Sequence, residues 1–410
     1  MNRIILIGNG FDLAHGLPTS YQNFIDWYWE QWKHQLVSCT HNSIKDNLCE
    51  FKLRHEGSIW LSFLFGKISR FNPPTGKELM DFLKEHPEVK FESCEFLKNI
   101  CLSVETKGWV DIENEYYRLL VSCSKSEILN LNHQKLNTQL RHLQNLLVQY
   151  LNTIPAESGE AIQVIKNIIY SPINPQDISV SEKDKLENHV KYWTECDESE
   201  FRYKMEKYNV DNFYLNDWSS YKELKDRYKQ DKDYIFRNFW SFFLPDYIMF
   251  LNFNYTSTIN RYVQANNPSF EINHIHGELN KPDSIIFGYG DELDENYKNI
   301  SNLNDNEYLK NFKSIKYLES DRYRKALQFM DAAPFQVYIL GHSCGNSDRT
   351  LLNTLFEHKN CVSVKPYYFK NGDKDNYLDI VQNISRNFKD MKLMRDRVVN
   401  KTYCEPFSKK

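Results

Sequence analysis

The sequence predicts an α/β protein whose parallel sheet is built from both chain ends and interrupted by a large helical insertion. Two observations predict it. Three apolar stretches run into glycine: Ile4 to Gly10, Tyr247 through Phe253 and on through Ile272 to Gly290, and Phe335 to Gly341. Short apolar runs ended by turn residues are the pattern of strands buried on both faces of a parallel sheet. Between the first and second stretches lies a segment of different texture, about residues 80–240, rich in Lys, Glu, Asn, Tyr and Leu and poor in glycine. The boundaries drawn from this texture are 1–80 for the first part of the sheet domain, 81–240 for the insertion and 241–410 for the second part.

Each element has its own signal. Met1 to Gly8 is too short for a secretory apolar region and runs straight into a glycine turn, so it reads as a buried strand. Leu136, Leu140, Leu143, Leu147 and Leu151 recur at helical spacing and predict an amphipathic helix packed on its own core. Ser171-Pro172-Ile173-Asn174-Pro175 breaks two helical stretches. Glu182 to Lys191 is charged and reads as a solvated face or loop. In Trp109 to Glu115, Asp111 and Glu115 share a helix face; an exposed acidic helix start is the expectation, a metal site the alternative. Phe335 to Leu340 is a strand buried on both faces. A helix follows from Asp348 with Leu351, Leu352, Leu355 and Phe356 on its apolar face.

The chain has 410 residues and a net charge of −4, which excludes a generally basic nucleic-acid binder. Hydrophobic residues at 41% against charged residues at 26% exclude a disordered chain. No apolar run reaches the roughly 18 residues of a membrane span, so no membrane partner is expected. The 9 cysteines form no C-x-x-C pair, so the expectation is free thiols in a reducing cytoplasm, with no zinc.

Polar residues that follow the strands are the candidate chemistry. Gly8-Asn9-Gly10 between a strand and a probable helix is how a chain prepares an anion site. It serves equally as a tight turn with no ligand. The dinucleotide fingerprint wants a third glycine where Leu13 stands, and Asp12 is placed to repel a pyrophosphate. Asn254 and Thr256 follow an apolar strand, at the edge where α/β ligands bind, or else close an Asx-turn. His274 and His276 alternate onto one side of their strand, and Gly277 leaves space against the second ring. Gly288-Tyr289-Gly290-Asp291 reads as a loop at the same edge after a further strand. Gly341-His342-Ser343-Cys344-Gly345 matches the G-x-S-x-G nucleophile elbow, with His358 as the one later histidine. Asp348 is a helix N-cap by position.

Ile7 to Asp12 with Gly16-Leu17-Pro18-Thr19, then Asn252 to Thr256, His274 to Gly277, and Gly341-His342-Ser343 with Ser347-Asp348 form an ordered set. It resembles the bacteriophage abortive-infection AbiH family. It is also similar to sirtuin-like domains of bacterial defence proteins, which carry G-x-G-x5-G-[IL]-P, an N-Y or N-I-D motif, H-G and G-x-S in that order. The resemblance implies a Rossmann-like (sirtuin-like) fold that takes NAD as substrate. It makes Asn254 the residue that positions water and His276 the base facing the ribose. Gly8, Asn9, Gly10, Asp12, Gly16, Tyr255, Gly277, Gly341, Ser343 and Asp348 then line the nucleotide, and no residue is assigned to a metal. Asp12 stands where sirtuins carry a small residue, commonly Ser.

On this reading the protein is a cytoplasmic anti-phage hydrolase that cleaves NAD at the nicotinamide–ribose bond once triggered. A phage-derived trigger and self-association through the helical insertion are the expected partners. Two alternatives stay open. One is a metal-dependent nuclease or other nucleotide hydrolase using Asp12, His274, His276 and Asp348. The other is a non-catalytic nucleotide-binding sensor or scaffold.

Overall fold

Ten strands appear in the computed structural model, which describes residues 1–37, 43–53, 86, 89–107, 111–128, 131–156, 158–197, 199–200, 218–238, 240, 243–263 and 269–409. They are β1 (Asn2–Ile7), β2 (Ser43–Lys45), β3 (Cys49–Leu53), β4 (Val89–Ser93), β5 (Ile248–Asn252), β6 (Phe270–His274), β7 (Phe335–Leu340), β8 (Cys361–Asn371), β9 (Lys374–Asp375) and β10 (Pro406–Lys409). The large sheet runs β10-β8-β7-β1-β5-β6, with every pairing on that path parallel and β9 antiparallel to β8. Counting only these strands in chain order, the sheet reads 3-2-1-4-5-6 from the β6 side, the order of doubly wound sheets. The direction of winding reverses between β1 and β7. Register aligns their ends: Ile7 lies opposite Asn252 and Leu340, and Asn252 lies opposite His274. The residues that follow β1, β5, β6 and β7 therefore emerge at one carboxyl edge.

The chain separates into two compact units. The first is Met1–Gly16, Ala156–Ile286 and Tyr317–Lys410; the second is Leu17–Pro155 and Phe287–Lys316. Composition cannot tell a helix that covers a sheet from one that builds a core of its own. The helices after Ala156 do the former.

Both faces of the large sheet are covered, which is why its central strands are largely apolar. Ile5, Ile7, Phe250, Tyr338 and Leu340 pack with Ile165, Ile169, Val190, Trp193 and Leu224 from helices Gln163–Ile169, Lys183–Glu195 and Trp218–Tyr228. Ile4, Leu6, Leu251, Val337 and Ile339 pack with Met330, Leu351, Leu352, Leu355 and Ile384 from helices Arg322–Ala332, Arg349–Phe356 and Tyr377–Arg386. Each fully buried aliphatic side chain contributes about 1.5–3 kcal/mol. The charged stretch Glu182–Lys191 is therefore mostly helix and not a loop: Leu186, His189 and Val190 form its buried stripe, and the charges occupy the other faces.

A polar network ties the sheet to its helical cover. The Ser171–Pro175 break leaves carbonyls without helical partners. Arg3 donates to the carbonyls of Ile169 and Ser171 at 3.0 and 2.7 Å and to Gln336 Oε1 at 3.1 Å, with its guanidinium 4.1 Å over the Tyr338 ring. Beside it Lys365 on β8 donates to Asp177 at 3.0 Å, and both side chains are buried.

In the second unit β2, β3 and β4 form an antiparallel sheet, and the leucine stripe is buried along helix His133–Leu151. The acidic start at Asp111 to Glu115 is only partly exposed. Asp111 caps helix Ile112–Ser124 by accepting from Asn114 N–H, while Glu113 and Glu115 are buried. Gly288–Asp291 belongs to this unit, and no strand precedes it after β6. Among the described residues no helix is long and apolar enough to cross a membrane, and the eight described cysteines are free thiols; Cys39 lies outside the described residues.

The Asp177–Lys365 pair sets a measurable stability. Asp177→Asn leaves Lys365 buried beside a neutral amide, and removal of one partner of a buried pair costs about 3–5 kcal/mol. Denaturant unfolding of the variant is expected to show that loss. An unchanged midpoint would mean that Lys365 reaches water.

Candidate functional site

Two turns meet at the reversal point of the sheet. Gly8 N–H donates to the Leu340 carbonyl at 3.2 Å, Gly10 N–H to the Gly341 carbonyl at 2.8 Å and Phe11 N–H to the Gly8 carbonyl at 2.8 Å. A Cβ on Gly8 would collide with Cα of His342, and one on Gly341 with the Phe11 nitrogen. Gly341 also sits at φ +74, where side chains are strained. These glycines are explained by main chain lying on main chain. Three of the amides at the turn are already bonded to carbonyls, and the helix that follows, Asn9–Ala14, is a short one.

The end of β5 is fastened to this turn. Asn252 is buried; its Oδ1 accepts from Asn254 N–H at 3.0 Å, and its Nδ2 donates to the Thr256 carbonyl and lies 3.1 Å from His274 Nδ1. That is the Asx-turn of the sequence, formed by Asn252. It presents Asn254, whose Nδ2 donates to the Gly8 carbonyl at 3.0 Å. Burial pushes the His274 imidazole below its ordinary value, against the opposing charge of Glu278.

Asp12 points inward, 1% exposed, and its Oδ2 accepts from the Thr256 hydroxyl at 2.6 Å. Burial raises its carboxyl above the usual range. The Thr256 and Thr258 hydroxyls, the Asn254 amide and the Arg261 charge oppose that rise.

The third group is a carboxylate between two imidazoles. His276 Nε2 lies 3.2 Å from Asp348 Oδ1 and 3.2 Å from the Tyr317 hydroxyl. His342 Nε2 lies 3.5 Å from Asp348 Oδ2, while its Nδ1 accepts from Cys344 N–H at 3.0 Å. That acceptor role leaves the neutral His342 proton on Nε2, facing Asp348. The Phe253 ring stands edge-on to His276, with centroids 5.1 Å apart, and 4.1 Å from His342. All of these side chains are buried. Asp348 occupies the N-cap position of helix Arg349–Phe356, yet its side chain makes no cap bond there. A carboxylate beside an imidazole orients the ring and stabilises its protonated form, the arrangement a general base uses.

The edge thus brings together Gly8, Gly10, Asp12, Asn254, His276, Gly341 and Asp348. Tyr255 turns aside, its hydroxyl donating to the Ile286 carbonyl at 3.1 Å. Gly277 follows His276 and donates to the His274 carbonyl. Asn9 and Ser343 are exposed, and Gly16 closes the short helix by donating to the Leu13 carbonyl. His358 sits just past the helix after the elbow, 3.4 Å from Asp331. Among the described residues no group of three or more His, Cys, Asp or Glu is arranged to hold a metal ion. Sequence reasoning missed His342 and Tyr317. The place of His342 directly after a strand-ending glycine was the available signal for the first; Tyr317 carried none.

The family model described as bacteriophage abortive infection AbiH matches residues 4–369. No curated protein matches the chain, and no solved structure does.

Asp12 gives the fold a defined pH response. Its folded carboxyl titrates above the ordinary value of 3.8, so over that interval the folded state binds more protons than the unfolded one. Its contribution to stability is full below 3.8 and is lost as pH rises through the raised value. Asp12→Asn keeps an acceptor for Thr256 without the charge. Its melting temperature is expected to exceed the wild type's at neutral pH, with the gap closing on acidification. A constant gap across pH would overturn the assignment.

Proposed function

The chain belongs to the bacteriophage abortive-infection AbiH family, and from that premise we propose that it is an anti-phage protein that cleaves NAD between nicotinamide and ribose. The observation that carries the reading is the His276–Asp348 pair at the same sheet edge as Asn254. The strand order supports a Rossmann-like reading of the domain; the sirtuin-like comparison rests on the order of the motifs.

In the reaction the C1′–N bond breaks and its electron pair returns to the nicotinamide ring, neutralising the pyridinium. Positive charge develops on the ribose. Water attacks C1′, and its proton passes to His276 and then to solvent. Products are nicotinamide, ADP-ribose and a proton. Asn254 orients the water with an amide that carries no charge. Asp348 holds the His276 ring and stabilises the imidazolium, and His342 holds the far side of that carboxylate. The bonded amides of Gly8, Gly10 and Phe11 make the edge a site for the ribose end more than for the pyrophosphate.

The metal-dependent alternative finds less support. Of its four ligands only His276 and Asp348 meet, while Asp12 accepts from Thr256 and His274 lies against Asn252. A phage-derived trigger and self-association through the helical insertion, residues 81–240, remain part of the proposal.

Purified protein is incubated with NAD, with and without phage lysate, and nicotinamide release is followed by chromatography. His276→Ala is expected to lower release by about 10²–10⁴-fold, the usual weight of a positioned proton-transfer group, and Asn254→Ala to lower it through loss of the oriented water. Full anti-phage protection by both variants in cells would overturn the roles. Absence of release with lysate present would overturn the substrate.

A further inference from the structure

In the turn that follows β7, Cys344 sits at φ +55, a left-handed conformation that a residue with a Cβ seldom takes. Its side chain is fully buried and belongs to the apolar core that also holds Leu352 and Ile384. The conformation bears on the site, because the Cys344 N–H donates to His342 Nδ1 at 3.0 Å. His342 Nε2 then faces Asp348 Oδ2 at 3.5 Å, and Asp348 Oδ1 lies 3.2 Å from His276 Nε2. A single main-chain amide thus orients the ring that holds the far side of the carboxylate.

Two asparagines hold this turn from the side. Asn383 lies on helix Tyr377–Arg386 and Asn387 directly follows that helix, four residues on and so on the same face. Asn383 Nδ2 donates to the Ser343 carbonyl at 2.8 Å, and Asn387 Nδ2 donates to the Cys344 carbonyl at 2.8 Å. Asn387 is fully buried, and its Nδ2 gives its second hydrogen to the Asn383 carbonyl at 2.8 Å. Turning the amide over would set Oδ1 against both carbonyl oxygens. In the orientation it keeps, Oδ1 meets no donor among the described residues. An unpaired buried acceptor costs free energy, and here that cost comes with the bond to the turn. The Asn387 main chain is fixed as well. Its carbonyl accepts from Asn353 Nδ2 at 2.9 Å, on helix Arg349–Phe356, whose N-cap position is Asp348.

All of these residues lie in the first unit. We propose that Asn387 is a positioning residue for His342: by bonding the Cys344 carbonyl it holds Cys344 in the left-handed conformation from which its amide reaches the ring. Strained backbone persists where its surroundings over-determine it. Here the carbonyl, the amide and the buried side chain of Cys344 each have a partner of their own. The bond to Nδ1 also selects the neutral tautomer with its proton on Nε2. Asn387 therefore sets, through two hydrogen bonds, which nitrogen of His342 meets Asp348. The proposal rests on the reading of His276 and Asp348 as the working pair, and it gives that pair an outer support just past a helix that carries none of the motif residues.

The test reads the His342 ring directly. Full-length protein labelled with nitrogen-15 is studied by NMR well above the ordinary imidazole midpoint of about 6.5, with the His342 signals assigned by their loss in His342→Gln. In the wild type, Nδ1 is expected to read as a bare nitrogen and Nε2 as a protonated one, with a scalar coupling from the Cys344 amide to Nδ1. Asn387→Leu keeps a similar size and removes the donor. The coupling is expected to vanish in it, and the two ring-nitrogen signals to converge as the tautomers mix. Glycine takes the left-handed region without steric cost, so adding Cys344→Gly to Asn387→Leu is expected to restore both signals. Adding Cys344→Ala, which keeps the Cβ, is expected to leave them lost. His358 is expected to keep its own signals throughout. A lower melting temperature in Asn387→Leu with the His342 signals unchanged would overturn the proposal and leave Asn387 a local support of the helix end. Equal loss in the glycine and alanine double variants would overturn the route through Cys344. If Asn387→Leu alone fails to fold, the glycine double variant decides: a wild-type tautomer supports the proposal and a mixed one overturns it. The measurement needs no substrate, so a negative nicotinamide assay would sink the reaction assigned above and leave this inference standing.

Discussion

Gly8 and Gly341 meet at the reversal point of the sheet with no side chain between them, and the rest of the edge depends on that contact. A Cβ on either would overlap backbone of the other turn. With both absent, the Gly10 amide reaches the Gly341 carbonyl and the two turns become one surface. Asn254 then fastens to the Gly8 carbonyl, and His342 follows directly from Gly341. The glycines that resemble a phosphate loop are therefore required by packing before any ligand is considered. The anion-site reading and the tight-turn reading of Gly8-Asn9-Gly10 differ in what the amides bond, and three of the turn's amides bond protein carbonyls.

Burial of charge gives the edge its chemical character. Asp12 and Asp348 are both carboxylates in surroundings that disfavour a lone charge, and each solves the problem differently. Asp12 is met by hydroxyls, an amide and a distant guanidinium, and shifts toward its neutral form. Asp348 is met by two imidazoles, either of which supplies a counter-charge when protonated. In the first arrangement burial outweighs the opposing contacts and raises the carboxyl above its ordinary range. The second lets a proton arrive at an imidazole with its counter-ion already in place, which is the condition for proton transfer at neutral pH.

The parts legible in the sequence were those governed by local pattern. Phe335 to Leu340 read as a strand because both of its faces are buried, and the leucine stripe from Leu136 to Leu151 read as a helix because one face of it is. The glycine turns, Asn254 and His276 were legible because they follow such strands. Illegible features were set by residues far apart in the chain. Asp348 looks like a cap from its position and pairs with His276 instead. Glu113 looks like an exposed acid at a helix start and is buried against Lys313. The charged run from Glu182 conceals the buried stripe of Leu186, His189 and Val190, since its charges outnumber the residues that decide its packing.

The way the second unit is threaded into the chain follows from where loops are tolerated. Insertions enter a doubly wound sheet through its connections, and the connections at the carboxyl edge are also those that carry the site. All four crossings border a site group. Gly16 ends the short helix that carries Asp12; Ala156 gives its carbonyl to Arg261, whose charge bears on Asp12; Ile286 and Tyr317 both bond His276. The chain thus leaves and re-enters the first unit at residues that adjoin or bond Asp12, Arg261 and His276, so substitutions at these crossings act on the site's own hydrogen bonds.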